Sequence, residues 1–177
     1  LLLAPLGYGA ASPAKQLYKN PLGPRIPDPF VLRAADGQYY AYGTTGFRAW
    51  KSADLVSWQS VGVVYKTTAN SWGLGSFWAP EVVEYNGKYY LYYTADKVGK
   101  SKRIGVAVAD HPAGPFVDPY PRPLVDPGYG VIDPHVFIDD DGRKYLYYSR
   151  AMSENDVGGR NESHIYGVEL GDDMVSL

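Results

Sequence analysis

The sequence contains no cysteine, which excludes disulfide bridges, zinc sites built on thiolates and cysteine nucleophiles. It also contains no run of eighteen apolar residues, so neither a membrane-spanning helix nor a membrane partner is expected. The net charge is only −2 and basic side chains are not clustered. Because binding to phosphates requires a positive field, nucleic acid is not an expected partner.

Helical periodicity is also scarce, since no window places apolar residues at i, i+3, i+4 and i+7 over three turns. Aromatic residues, in contrast, are abundant: 17 Tyr, 5 Phe and 4 Trp make up 15% of the sequence. Such residues favour β-strands and surfaces that stack against sugars. The 177 residues are enough for a sizeable core, which predicts one domain or part of a larger one.

The first fourteen residues are apolar or small, like the end of a secretory signal. A non-specific N-terminal arm is the other interpretation, and residues 1–19 are assigned to one or the other. We therefore expect a secreted or periplasmic protein and leave a cytoplasmic location open.

An internal repeat is the strongest feature of the sequence. Three equivalent segments recur roughly every 50 residues: Asp28-Pro29-Phe30-Val31-Leu32, Ala79-Pro80-Glu81-Val82-Val83 and Asp133-Pro134-His135-Val136-Phe137. Each is followed by a turn with glycine, namely Asp36-Gly37, Asn86-Gly87 or Asp141-Gly142, and then by a tyrosine-rich run. This pattern predicts three β-hairpins whose second strands are buried on both faces.

Each hairpin is predicted to continue into further strands. A third strand is expected at 49–52, 104–109 and 165–169, and an outer fourth strand is expected to open at Trp58 and at Phe116, with Leu177 at the equivalent point of the third unit. Four-stranded units of this length are typical of a β-propeller. We predict an all-β propeller over residues 20–177, with blades at about 25–75, 76–128 and 129–177, the third incomplete. Because a propeller has at least four blades, the remaining blades must come from a second segment or chain.

Two carboxylates occupy equivalent positions in this repeat. The first strand of each blade lines the central channel, so Asp28 and Asp133 should both face it, whereas the second blade has Ala79 there. A turn aspartate that caps its own backbone is the alternative interpretation. Since Ala79 shows that the fold does not require an aspartate at this position, the pattern favours a chemical role for Asp28 and Asp133.

Three strings carry a family resemblance: Arg25-Ile26-Pro27-Asp28-Pro29-Phe30, Phe77-Trp78-Ala79-Pro80-Glu81, and the run from Val131 to Gly142. From about Asn20 onward the chain resembles glycoside hydrolase family 43. The resemblance implies a five-bladed propeller that hydrolyses arabinose- or xylose-containing polysaccharides with inversion. It also implies that Asp28 is the general base and that Asp133 tunes the pKa of the acid and orients it.

The family's proton donor is a glutamate on the fourth blade, and no residue of this chain matches it. Glu81, Glu154 and Glu162 do not lie at the matching position of a channel strand. A two-carboxylate mechanism requires no cofactor. Some family members hold an ion in the channel, so calcium or another ion there is possible. The run Asp139-Asp140-Asp141-Gly142 is interpreted as a hairpin turn, because it lacks the alternating ligands of a calcium loop.

Trp78 is the aromatic residue that we expect to form a sugar-binding platform, with Phe77 and Trp72 as lesser candidates. His135 lies two residues after Asp133 and either lines the pocket or packs in the fold. Three alternatives remain: a non-catalytic carbohydrate-binding propeller, a structural or protein-binding propeller, and a glycosidase of another five-bladed family. The particular glycan, and endo or exo action, are not predicted.

Overall fold

The computed structural model describes residues 18–44, 46–97, 99 and 101–177. Within these ranges the chain forms ten β-strands, and a 3₁₀ helix covers Met152–Glu154. The predicted all-β fold is confirmed. Most of the predicted N-terminal arm or signal lies outside the described residues. Among the described residues, no helix has the length and apolar character needed to cross a bilayer.

The strands form three antiparallel sheets within the described ranges, one inside each range predicted for a blade. The first sheet contains β1 (Phe30–Arg33), β2 (Tyr39–Gly43), β3 (Arg48–Ser52) and β4 (Gln59–Val63). The second contains β5 (Trp78–Tyr85), β6 (Lys88–Asp96) and β7 (Lys102–Ala109). The third contains β8 (Val131–Ile138), β9 (Lys144–Arg150) and β10 (Ile165–Leu170).

The predicted glycine turns join the first two strands of every sheet. At the β5–β6 turn, Asn86 and Gly87 both have positive φ, 49° and 73°. Positive φ at both central residues is the backbone that a tight two-residue hairpin requires. Gly37 and Gly142 also have positive φ, at 79° and 84°. The three predicted hairpins are therefore confirmed.

The outer strands follow the prediction in the first sheet only. There β4 begins directly after Trp58. Phe116, in contrast, opens no strand: it is fully buried and forms an isolated parallel bridge with Tyr65 of the first blade. The prediction of a fourth strand at Phe116 was wrong, because the prolines of this segment lack the N–H groups that a ladder needs. These prolines are Pro112, Pro115, Pro119, Pro121 and Pro123.

The middle strand of the middle sheet shows how the blades stack. Side chains of β6 alternate, so Tyr89, Leu91 and Tyr93 join the core shared with the first sheet. Tyr90 and Tyr92 join the core shared with the third sheet. The tyrosine-rich run of the second blade is thus buried on both faces, as its composition predicts.

The first and second blades are also joined by a buried polar network. Asp118 is 3% exposed and accepts hydrogen bonds from the hydroxyl groups of Tyr93, at 2.6 Å, and Tyr65, at 2.5 Å. Burial raises the pKa of the Asp118 carboxyl. Burial also raises the pKa of the Tyr65 hydroxyl, to about 12. The two tyrosines therefore remain neutral donors to a carboxylate that the chain has placed in the core.

The third sheet leaves its far face open among the described residues. Phe137, Tyr147 and Ile165 lie on the face turned away from the second sheet and are 46%, 39% and 78% exposed. On the opposite face of the same sheet, Val136 and Leu146 are buried in the core shared with the second blade. The chain thus presents an apolar sheet face of the kind that its other two blades bury between them.

Candidate active site

The same backbone conformation recurs close to the start of the first strand of each sheet. Asp28, Ala79 and Asp133 all have positive φ, at 47°, 44° and 57°. In β5 and β8 the strand register shifts at this residue. Left-handed φ costs on the order of 1–3 kcal/mol for a residue with a side chain, so such residues tend to mark functional positions. The structure confirms that these positions are equivalent, and sequence spacing alone did not reveal the kink.

The carboxylate of Asp28 is exposed and is held by the end of the second strand of its own blade. Thr44 Oγ1 donates a hydrogen bond to Asp28 Oδ2 at 2.5 Å. The backbone N–H of Thr44 in turn donates to the carbonyl of Pro27 at 3.0 Å. Gly43 permits this close approach, because a Cβ there would lie 2.6 Å from the Cβ of Ile26.

Asp133 shares its electrostatic environment with Asp28. Asp133 stays exposed but loses part of its hydration in the fold, which raises its pKa, and the negative charge of Asp28 raises it further. The backbone N–H of Asp133 donates to Thr94 Oγ1 at 3.0 Å. The fold therefore brings the charge of Asp28 close enough to act on a carboxyl of another blade.

This raised pKa predicts a pH-dependent gain in stability for Asp133→Asn. A carboxyl whose pKa is raised on folding is penalised when ionised, so wild-type stability falls as pH rises above about 3.9 through the raised value. We expect the variant to melt about 1–3 °C higher at pH 7, with the difference vanishing near pH 3. The gain is small because the side chain is solvent-exposed.

Thermal melts of both proteins at pH 3 and pH 7 measure this difference. Asp140→Asn, at an exposed carboxylate in a hairpin turn, is the matched control and should leave the melting temperature unchanged at both pH values. A lower melting temperature for Asp133→Asn at pH 7 would show that ionised Asp133 stabilises the fold.

Glu81 makes polar contacts with the third sheet that were not predicted from the sequence. It lies on β5 two residues after Ala79 and is 8% exposed. Its Oε2 lies 2.9 Å from His135 Nδ1, and its Oε1 accepts the N–H of Val136 at 2.8 Å. Because both carboxylate oxygens are engaged across the blade boundary, Glu81 is suited to hold His135 rather than to donate a proton.

His135, Glu154 and Glu162 are the other residues considered from the sequence for acid–base or pocket roles. The side chain of His135 is 63% exposed, so it is anchored at Nδ1 and open to solvent elsewhere. Glu154 accepts hydrogen bonds from the N–H of Gly130 and from Ser101, and Glu162 pairs with His164. Neither glutamate lies on the first strand of a sheet.

Trp78 is the most exposed of the three aromatic candidates. Trp78 is 42% exposed, and Lys102 Nζ lies 4.0 Å from its ring centroid. Phe77 instead packs edge-on against Phe47 at 5.3 Å, and Trp72 stacks on Tyr93 at 5.8 Å. Phe77 is partly buried and packs against the aromatic core between the first two blades, and its role as a sugar platform stays a prediction.

The acidic and histidine side chains of the described residues were also candidates for ion ligands. Within the described ranges, no group of three or more His, Asp or Glu side chains could hold a metal ion. The backbone carbonyl of Asp139 accepts the N–H of Gly142 in a tight turn, so the acidic run forms the predicted hairpin. An ion in the channel stays a prediction.

Comparisons with known proteins agree with this geometry. The family model described as "Glycosyl hydrolases family 43" matches residues 18–177. The xylosidase/arabinosidase 43A of Humicola insolens is 50% identical over 88 residues, which cover 49% of this chain and 26% of that protein. The arabinoxylan arabinofuranohydrolase of Bacillus subtilis (strain 168) is 36% identical over 150 residues, which cover 71% and 28%.

Solved structures agree as well. A thermostable family-43 glycoside hydrolase superposes with a TM-score of 0.83 at 38% identity, covering 91% of this chain and 54% of its own. An endo-arabinase from Bacteroides thetaiotaomicron VPI-5482 gives 0.79 at 29% identity, covering 90% and 56%. The chain spans 26% to 45% of the length of the first three curated relatives that it matches. It belongs to glycoside hydrolase family 43 and forms three consecutive blades of that family's five-bladed β-propeller.

Proposed function

We propose that the protein is an inverting glycosidase acting on arabinose- or xylose-containing plant polysaccharides or oligosaccharides. The observation that carries this proposal is the pair Asp28 and Asp133, two carboxylates at equivalent channel positions whose charges interact. The names of its relatives, which include xylosidase/arabinosidase and arabinoxylan arabinofuranohydrolase, support the substrate class. Because such polymers are met outside the cytoplasm, we also propose a secreted or periplasmic location.

The proposed reaction uses water and carboxyl groups. Asp28 removes a proton from a water molecule while the water oxygen bonds to the anomeric carbon. The glycosidic C–O bond breaks, and its oxygen takes a proton from a carboxylic acid on the opposite side of the sugar. A negative charge at Asp133 would raise the pKa of a neighbouring acid and keep it protonated.

We propose that the acid is supplied by a further blade that packs on the open face of the third sheet. The exposed Phe137, Tyr147 and Ile165 are the counterparts of residues buried between the other blades. Ser149 also lies on this face, paired with Ile132 as Thr94 is paired with Trp78. Its hydroxyl has no hydrogen-bond partner in the described part of the chain, and it would accept the N–H of the next channel residue, as Thr94 does.

Hydrolysis assays on two forms of the protein test this proposal. Residues 1–177 alone should release no sugar from arabinose- or xylose-based nitrophenyl glycosides and polymers, whereas a form extended by two blades should hydrolyse at least one of them. Near-ultraviolet circular dichroism is the control that the short form is folded. Hydrolysis by the short form would place the acid among the residues described here, and an inactive extended form would contradict the glycosidase proposal.

A non-catalytic carbohydrate-binding propeller is the second candidate, favoured by one observation: the ring of Trp78 is 42% exposed and can stack on a sugar without any catalytic group. Sugar binding by an inactive extended form, unchanged in Asp28→Ala, would support this alternative. A glycosidase should instead hydrolyse its ligand and lose that activity with Asp28.

A further inference from the structure

Thr44 contacts both a proposed catalytic group and the neighbouring blade. Its Oγ1 donates to Asp28 Oδ2 at 2.5 Å and accepts the backbone N–H of Ala79 at 3.0 Å. A threonine hydroxyl has one proton and two lone pairs. Because one lone pair accepts the N–H of Ala79, the contact between blades also fixes the position from which the proton reaches Asp28.

The second blade contains the same hydroxyl contact without the carboxylate. Thr94 lies two residues before the end of β6, is fully buried, and accepts the N–H of Asp133 at 3.0 Å. The residue of its own blade that corresponds to Asp28 is Ala79, so no carboxylate is there to receive its proton. A threonine hydroxyl therefore accepts a backbone N–H at both boundaries between the described blades. Only the first of these hydroxyls, that of Thr44, also donates to a channel carboxylate among the described residues.

The orientation of Asp28 depends on this bond. The residue is exposed, so packing does not fix its side-chain torsion angles. Among the described residues, Thr44 provides the hydrogen bond that its carboxylate receives. With Oδ2 engaged, Oδ1 keeps its lone pairs for water. A general base must meet its proton at hydrogen-bond distance and in a defined direction, and a misplacement of about 1 Å can lower a rate on the order of 10²-fold.

We propose that Thr44 is a positioning residue that orients the carboxylate of Asp28 for deprotonation of water and anchors it to the second blade. This inference rests on the proposed glycosidase function. The hydroxyl itself contacts neither substrate nor water in this role and acts through Asp28. Removal of the hydroxyl should therefore slow the chemical step and leave sugar binding nearly unchanged.

Steady-state kinetics of Thr44→Val and Thr44→Ser in the active, five-bladed form test the inference. Valine keeps the shape of threonine without the hydroxyl, and we expect kcat to fall about 10- to 100-fold, with KM within about twofold. Serine keeps the hydroxyl and should retain kcat within about threefold. Equal activity of Thr44→Val and wild type, measured well below both melting temperatures, would overturn the inference.

A double-substitution cycle with Asp28→Ala separates positioning from a general effect on the fold. If Thr44 acts through Asp28, Thr44→Val should not reduce the residual rate of Asp28→Ala any further. A further reduction by the same factor as in wild type would show that Thr44 acts through the fold and would overturn the inference. The proposed function fails separately: an inactive five-bladed wild type removes both proposals, whereas an active one that tolerates Thr44→Val removes only this one.

Discussion

Asp28→Ala in the five-bladed protein is expected to lower kcat about 10²- to 10⁴-fold, the range over which general acid–base groups contribute. The carboxylate is the proton acceptor in the proposed reaction, and water without an acceptor is a poor nucleophile at an anomeric carbon. Release of reducing sugar from arabinose- and xylose-based substrates measures the loss. Substrate affinity should change little, because the base acts on water rather than on the sugar.

Asp28→Asn is the matched control for the backbone at this position. Asparagine tolerates positive φ better than alanine does and keeps the size of the side chain, so it should preserve the 47° conformation. Both variants should lose activity, while Asn should leave the melting temperature within about 2 °C of wild type. Near-wild-type turnover in either variant would place the general base elsewhere.

The repeat, the hairpins and the pair of carboxylates could all be predicted because each depends on local spacing. Asn86-Gly87 specifies a tight turn wherever it occurs between strands, and the residue that precedes the repeated proline returns at the same point of every blade. Equivalence in sequence then becomes proximity in space, since the first strands of a propeller share one channel. The repeat therefore predicts that Asp28 and Asp133 face the same channel.

Contacts between blades could not be predicted in the same way. Thr44 and Glu81 form hydrogen bonds with residues of the next blade. No motif in the sequence around either residue indicates these contacts. The error at Phe116 has a similar cause: an aromatic residue after a turn suits an outer strand, but this one is buried against the first blade and bridges Tyr65. The packing of Phe77 against Phe47 was not predicted either, because an aromatic residue beside a channel position can face either sugar or core.

Asp118→Ala is expected to cause a large loss of stability. Asp118 lies in a proline-rich segment that packs over the first two blades. This segment contains no motif from which a buried acceptor could be predicted. Alanine would leave the hydroxyl of fully buried Tyr93 without its acceptor. Tyr65 could still donate to Ser71, 3.1 Å away. One orphaned buried donor and one weakened bond predict a loss of about 2–4 kcal/mol, which corresponds to a melting temperature about 5–15 °C lower.

Asp118→Asn separates the lost hydrogen bonds from the lost charge. Burial raises the pKa of Asp118, so the ionised carboxylate is itself costly in the core, and a neutral amide of the same shape removes that cost. Its single oxygen still accepts one tyrosine hydroxyl, and we expect a loss of only about 1 kcal/mol. Urea unfolding followed by tyrosine and tryptophan fluorescence compares the variants. If Asp118→Ala were as stable as Asp118→Asn, the hydrogen bonds accepted at position 118 would contribute nothing to the free energy of unfolding. Aromatic packing alone would then join the two blades.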